Sequence, residues 1–224
     1  MDETIEWEPI PPRGKPMAGG PKPKGSVRMV VGNNRAEYVN VPACVYRSLA
    51  KHKKAGDMEC LTKDELLGAI GRITAACARQ RISQLVSRRD YSQLEARRRL
   101  REDGFSEDEV RAAVSHAVSI GLISNERFAD AYIRGKVAAG WGMERIEREL
   151  ANRGIEAREL DNWPYEYLDP DDEFERAMQV AQRKTVREPN AYAKLARFLV
   201  NRGFAYSIAS NAAKETLEAR AALP

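Results

Sequence analysis

The sequence predicts a mainly α-helical protein: tandem repeats of three-helix bundles forming an elongated, curved solenoid, with a small β-hairpin near the N-terminus. Three observations carry this expectation. A leucine followed four residues later by glycine and then an apolar residue recurs as L-R-E-D-G-F, L-A-N-R-G-I and L-V-N-R-G-F. The glycines, Gly104, Gly154 and Gly203, are 50 and then 49 residues apart, which marks an internal repeat. Thr62 with Glu65, Ser92 with Glu95 and Ser106 with Glu109 fit the capping box that starts helices. Aromatic residues make up 7% and charged residues 31% of the chain, a balance that suits helices joined by short turns better than a sandwich or barrel.

Taken in order, residues 1–25 end in EPIPPRGKPMAGGPKPKG, dense in Pro, Gly and Lys, and read as a disordered arm. SVRMVVGNNRAEYVNV then places two valine-containing runs around G-N-N-R, which predicts a hairpin with a tight turn. The hairpin and a helical stripe of Leu66, Ile70, Ile73 and Cys77 make an N-terminal extension over 26–79. Three repeats follow, at 80–121, 122–168 and 169–224. Val110, Ala113, Val114 and Ala117 form the stripe of the first, Phe128, Ala131 and Tyr132 that of the second, and Phe174, Ala177, Met178 and Ala181 that of the third. Ser124 reads as an N-cap. In each repeat the middle helix should end at its glycine in the left-handed conformation, so that Phe105, Ile155 or Phe204 folds back onto Leu100, Leu150 or Leu199. Pro164 interrupts the third helix of the second repeat, which is expected to be short.

The composition also bounds the chemistry. Net charge is +4, but residues 81–101 carry seven cations against two acids while residues 102–224 carry 17 against 22, so any anionic partner is expected at the middle block. No run approaches the ~20 apolar residues of a membrane span, and the acidic N-terminus lacks an apolar signal region, so the protein reads as cytoplasmic. Cys44, Cys60 and Cys77 lack a C-x-x-C pair and read as ordinary reduced cysteines. G-W-G at 140–142 follows a helix rather than a strand, so it is no phosphate loop; Gly140 is expected to end one helix and Gly142 to cap the next. His116 reads as a solvated surface histidine and DPDDEFER as a helix start. No nucleophile, base and oxyanion site assembles, so neither catalysis nor a cofactor is expected.

The arginines are the residues to weigh. Along Met143 to Arg153, the pairs Glu144 with Arg148, Arg145 with Glu149 and Glu149 with Arg153 stand at i,i+4 and predict a self-neutralised face. Arg97, Arg98, Arg99 and Arg101 have fewer acids around them, with Arg88 and Arg89 just upstream.

YSQLEARRRLREDGF at 91–105, GLISNERFADAYIR at 121–134, GMERIERELANRGI at 142–155 and RFLVNRGF at 197–204 together resemble the bacterial RecX family of RecA regulators. The resemblance implies a non-enzymatic modulator that binds RecA and its filament on single-stranded DNA, lying in the filament groove and limiting recombinase, ATPase and coprotease activity. No heptad seam demands a dimer, so the chain is expected to be a monomer. Weak direct contact with DNA is compatible with the resemblance. The alternative is a helical nucleic-acid-binding module acting without RecA, for which the basic block at 81–101 would supply phosphate contacts. The partner-binding residues are expected to be arginines without close acids plus an amphipathic anchor: Arg88, Arg89, Arg97 and Arg98 in the first repeat, and Arg134, Lys136 and Trp141 in the second.

Overall fold

Val27 and Met29 alternate with Ser26, Arg28 and Val30, as a strand with one buried face requires, and Gly25–Val31 forms that strand, β2. The structure, a computed structural model, describes residues 5–14, 20–31, 35–58, 62–161, 163–187 and 189–222. β2 pairs antiparallel with β3, Arg35–Val41, from Gly25 opposite Val41 to Val31 opposite Arg35. The tight turn expected at Gly32, Asn33 and Asn34 lies outside the described residues.

The segment read as a disordered arm contributes structure instead. Glu6–Ile10 forms a third strand, β1, antiparallel to β2 with Trp7 opposite Met29. Ile5 and Trp7 alternate inward and are 7% and 4% exposed, and the Trp7 indole donates to the Met58 carbonyl at 2.9 Å. Pro9 is tolerated because β1 is an edge strand. Further on, the Lys22 N–H donates to the Glu102 carbonyl at 2.7 Å, tying this segment to the first repeat.

Two helices cover the sheet, α1 (Ala43–Ala55) and α2 (Lys63–Val86). Val27, Met29 and Val41 pack with Val45 and Leu49 of α1 and with Leu66 and Ile70 of α2. The buried stripe of α2 then runs through Thr74, Ala78 and Ile82, leaving Ile73 and Cys77 half-buried at its edge. Thr74 fits a buried position because its hydroxyl donates to the Ile70 carbonyl at 2.8 Å. The expected boundary between 79 and 80 falls inside this unbroken 24-residue helix. Its second half supplies Ala78 and Ile82 to a core shared with α3 (Gln93–Glu102) and α4 (Glu107–Ser119). The starts of these helices follow from the sequence. Thr62 with Glu65 and Ser106 with Glu109 form complete capping boxes, and the Ser92 hydroxyl accepts the Glu95 N–H at 3.1 Å.

The chain divides into two compact units, Met1–Ser124 and Asn125–Pro224. The second begins with α5 (Asn125–Ala138) and α6 (Met143–Ala151). On α5 the buried residues are Phe128, Ala129 and Ile133, so the stripe is rotated from the predicted one: Ala131 is exposed and Tyr132 lies half-buried at the rim. The third helix of this repeat is reduced to a 3-10 turn, Ala157–Glu159, followed by turns in which Pro164 accepts the N–H groups of Tyr167 and Leu168. Its core joins Ile133, Ile146, Leu150, Ile155 and Leu168. The last bundle comprises α7 (Glu173–Gln182), α8 (Ala191–Arg202) and α9 (Tyr206–Ala221), closed around Ala177, Leu195, Leu199, Phe204 and Ala213.

The repeated glycines take the predicted conformation, with φ of 93° at Gly104, 73° at Gly154 and 92° at Gly203. In each case the next N–H reaches back to the repeat's leucine, Phe105 to Leu100, Ile155 to Leu150 and Phe204 to Leu199, at 3.2, 3.1 and 3.3 Å. This six-to-one bond satisfies a terminal carbonyl and presses the apolar residue onto its own helix. All three are nearly or fully buried.

Candidate functional site

The corner between α5 and α6 is built by two glycines. Gly140 ends α5 with φ of 73°, and the Trp141 N–H donates to the Lys136 carbonyl at 3.0 Å. Gly142 then caps α6 in an extended conformation, so both roles expected for this pair are met. The cap fixes where Trp141 can go. Its ring is half-buried, with the Lys136 ammonium 4.6 Å and the Arg145 guanidinium 3.7 Å from the ring centroid.

The stacking continues along the two helices. Lys136 also lies 5.1 Å from the ring of Tyr132, one turn earlier on α5, and Arg153 lies 4.8 Å from that same ring. The result is a ladder in which cations and rings alternate: Arg153, Tyr132, Lys136, Trp141, Arg145. Each such contact contributes about 0.5–1 kcal/mol where exposed and about 2 kcal/mol where water is excluded. Arg153 is neutralised by Glu149 at 2.7 Å, whereas Lys136 and Arg145 form no ion pair among the described residues. Two unneutralised cations therefore flank a large amphipathic ring, a combination that interfaces with acidic or phosphate-bearing surfaces use.

The last bundle holds this corner in place. Arg145 donates to the Asn201 carbonyl at 2.8 Å, Arg202 donates to that of Ala139 at 2.7 Å, and the Gly142 N–H donates to that of Arg202 at 2.8 Å. Gly142 and Gly203 meet so closely that a Cβ on Gly142 would stand 2.3 Å from the Gly203 backbone. Arg176 donates to the Trp141 carbonyl at 2.8 Å, and a Glu173 oxygen accepts the Met143 N–H at 2.8 Å, supplying α6 with the cap that Gly142 cannot. Burial pushes the Glu173 carboxyl up, against the opposing pull of the Met143 N–H and Arg176. Burial likewise draws the Arg176 guanidinium down, and its Nη1 is buried without a hydrogen-bond partner.

The seven sequence-predicted residues have separate fates. Lys136 and Trp141 are brought together as described. Arg134 is not a free cation: Asp130 at 2.9 Å and Glu166 at 2.8 Å neutralise it, and the ring of Tyr167 lies 5.1 Å away. In the first repeat, Arg89 is held by Glu95 at 2.8 Å and stacks on Tyr91 at 3.8 Å. Arg97 is half-buried, its Nε enclosed without a partner. Arg88 and Arg98 are exposed and form no ion pair among the described residues. Arg99 and Arg101 are neutralised by Glu102 and Glu107.

Sequence reasoning missed Tyr132, Arg145 and Arg153. Of the three pairs expected on α6, Glu149 with Arg153 forms, while Glu144 with Arg148 and Arg145 with Glu149 do not. Arg145 turns to Trp141 because the cap delivers a planar ring beside the first turn of α6. The spacing of Tyr132 to Lys136, and of Arg145 to Arg153, was the available signal.

Among the described residues no cluster of three or more His, Cys, Asp or Glu could hold a metal ion, and no helix is long and apolar enough to cross a membrane. Cys44 and Cys77 are free thiols, and Cys60 lies outside the described residues.

Residues 124–161 match the family model described as RecX, second three-helix domain, and residues 171–212 match RecX, third three-helix domain. The first match covers the ladder and the second the bundle that supports it. A regulatory protein RecX from Vibrio vulnificus (strain CMCP6) is 35% identical over 127 residues, 55% of this chain and 82% of the relative. Another from Legionella pneumophila (strain Corby) is 31% identical over 144 residues, 59% of this chain and 89% of the relative. A crystal structure of regulatory protein RecX aligns with a TM-score of 0.55 at 17% identity, covering 92% of this chain and 96% of that one. RecX from Lactobacillus salivarius aligns with a TM-score of 0.52 at 19% identity, covering 64% and 96%. At these identities the structures speak for the fold, and the sequence matches speak for descent: the chain belongs to the RecX family of regulatory proteins.

Proposed function

We propose that this chain is a non-enzymatic, monomeric, cytoplasmic regulator that binds RecA and RecA filaments on single-stranded DNA and mainly inhibits recombinase, ATPase and coprotease activity. The observation that carries the reading is the sequence similarity to proteins named regulatory protein RecX. The ladder supports it by supplying what a protein-binding regulator needs: a ring with two unneutralised cations on a rigid corner. In this reading Lys136, Trp141 and Arg145 touch the partner in the second unit, and Arg88, Arg97 and Arg98 supply the positive field in the first. Arg89 and Arg134 serve the fold.

The test is ATP turnover by RecA on single-stranded DNA. The purified chain should lower turnover, and should hydrolyse neither ATP nor DNA alone. Unchanged turnover at concentrations where co-sedimentation shows the filament saturated overturns the inhibitory reading.

A further inference from the structure

The first unit contains a cavity of 550 Å³, walled by α1, α2, the end of α3 and the segment around Lys22. Three separate parts of the chain deliver cations to it: Lys22 from the N-terminal segment, Arg47 and Lys51 from successive turns of α1, and Arg81 from α2. The lining contains one carboxylate, Asp103, so the wall carries a net charge of +3. Asp103 is committed already, with Lys22 at 2.6 Å and Arg81 at 2.5 Å, and its side chain is 11% exposed. It fixes the positions of two cations while compensating only one charge. Arg47 makes a long bond from Nε to the Ala43 carbonyl at 3.3 Å, and neither Arg47 nor Lys51 forms an ion pair among the described residues.

Like charges gathered in a concave wall repel one another and raise the local concentration of anions. The amino end of α1 adds to the same field. Pro42 offers its N–H groups no side-chain cap, the first turn has no acid, and Ala43 and Cys44 line the cavity. Cations converging from three directions suit a group with several charged oxygens better than a planar carboxylate, and two guanidinium forks strengthen that preference. The volume lies in the range of about 300–1,000 Å³ typical of small-ligand sites.

We infer that this cavity binds a phosphate group, with Lys22 and Arg81 preset by Asp103 and with Arg47 and Lys51 completing the contacts. The phosphate belongs either to a free polyphosphate or to a nucleic-acid backbone; the chemistry recognised is the same.

Cys44, half-buried in the same wall, is a built-in reporter. Its neighbour Cys77 is pushed up to about 11 by burial and by the adjacent Cys44, and stays protonated at pH 8. The full chain, without RecA, is treated with iodoacetamide, a neutral reagent, and alkylation of the Cys44 peptide is timed by mass spectrometry. Inorganic pyrophosphate at about ten times its Kd should slow alkylation about tenfold relative to sodium chloride of equal ionic strength, since only the free fraction reacts. The Arg47→Ala, Lys51→Ala double variant should lose the protection while keeping its circular dichroism. Lys51→Glu alone is the second variant should the double one misfold, and it too should lose protection. Protection by a thymidine 20-mer but not by pyrophosphate would assign the phosphate to a nucleic-acid backbone. Protection by polyglutamate equal to that by pyrophosphate, no protection by any phosphate probe, or protection that survives Lys51→Glu would overturn the inference. None of these outcomes depends on whether the chain inhibits RecA.

Discussion

Trp141 illustrates what a residue's surroundings add to its identity. Lys136 and Arg145 come from different helices, yet both stack on this ring because the Gly140 cap turns it toward α6. In sequence, Arg145 stands four residues from both Trp141 and Glu149, and i,i+4 spacing favours the ion pair. The choice between the two rotamers is decided by the ring, which no helical-wheel argument places. The kinetic consequences can be separated. Trp141→Ala should accelerate release from immobilised RecA filaments, by a cost of about 2 kcal/mol if the ring is a hot spot. Charge reversal of Arg97 and Arg98 should slow association and flatten its salt dependence, because rim charges act mainly on encounter. Arg148, exposed and outside the ladder, is the control and should change neither rate. If Arg148→Ala weakens binding and Trp141→Ala does not, the contact face lies elsewhere.

At the scale of elements, helix ends were legible and helix contacts were not. A capping box and a glycine cap involve residues within six positions of one another, so the sequence contains all of their parts. The meeting of Gly142 with Gly203 joins positions 61 residues apart, and nothing local announces it. This difference makes a prediction. Gly154→Ala should cost on the order of 1 kcal/mol, the penalty of a left-handed backbone at φ 73°. Gly203→Ala should cost more, because a Cβ there would also stand 2.2 Å from the Cβ of Arg145 and 2.6 Å from its backbone nitrogen. Overpacking of this kind adds about 1–3 kcal/mol. Urea denaturation of the two variants measures the gap; equal costs would mean that the corner relaxes freely around Gly203. The rotated stripe of α5 has a similar origin. Ala129 and Ile133 join the core with Ile146, Leu150 and Leu168 while Tyr132 lies half-buried at its rim, and apolar periodicity alone cannot choose between these neighbouring faces.

Across the whole molecule, the repeats were visible because one short signal recurs at nearly constant spacing, whereas the N-terminal strand was hidden by its composition. Pro, Gly and Lys around residues 11–25 dominate any reading of that segment, and a five-residue strand containing Pro9 has no period of its own to set against them. What recruits it is tertiary: β2 has an open edge, and Trp7 fits over the sheet core with its indole on Met58. Deletion of residues 1–24 distinguishes the two accounts. A disordered arm could be removed without loss. A paired strand that buries Ile5 and Trp7 cannot, and burial of side chains of this size contributes about 1.5–3 kcal/mol each. The deletion also removes Lys22 and its hold on Asp103, which adds little because the Lys22 side chain is 56% exposed. Amide hydrogen exchange should therefore accelerate in β2, β3, α1 and the first half of α2, whose core includes Ile5 and Trp7, and should be unchanged in α7, α8 and α9, which close around a core of their own. Unchanged exchange throughout the sheet would return the segment to the status of an arm.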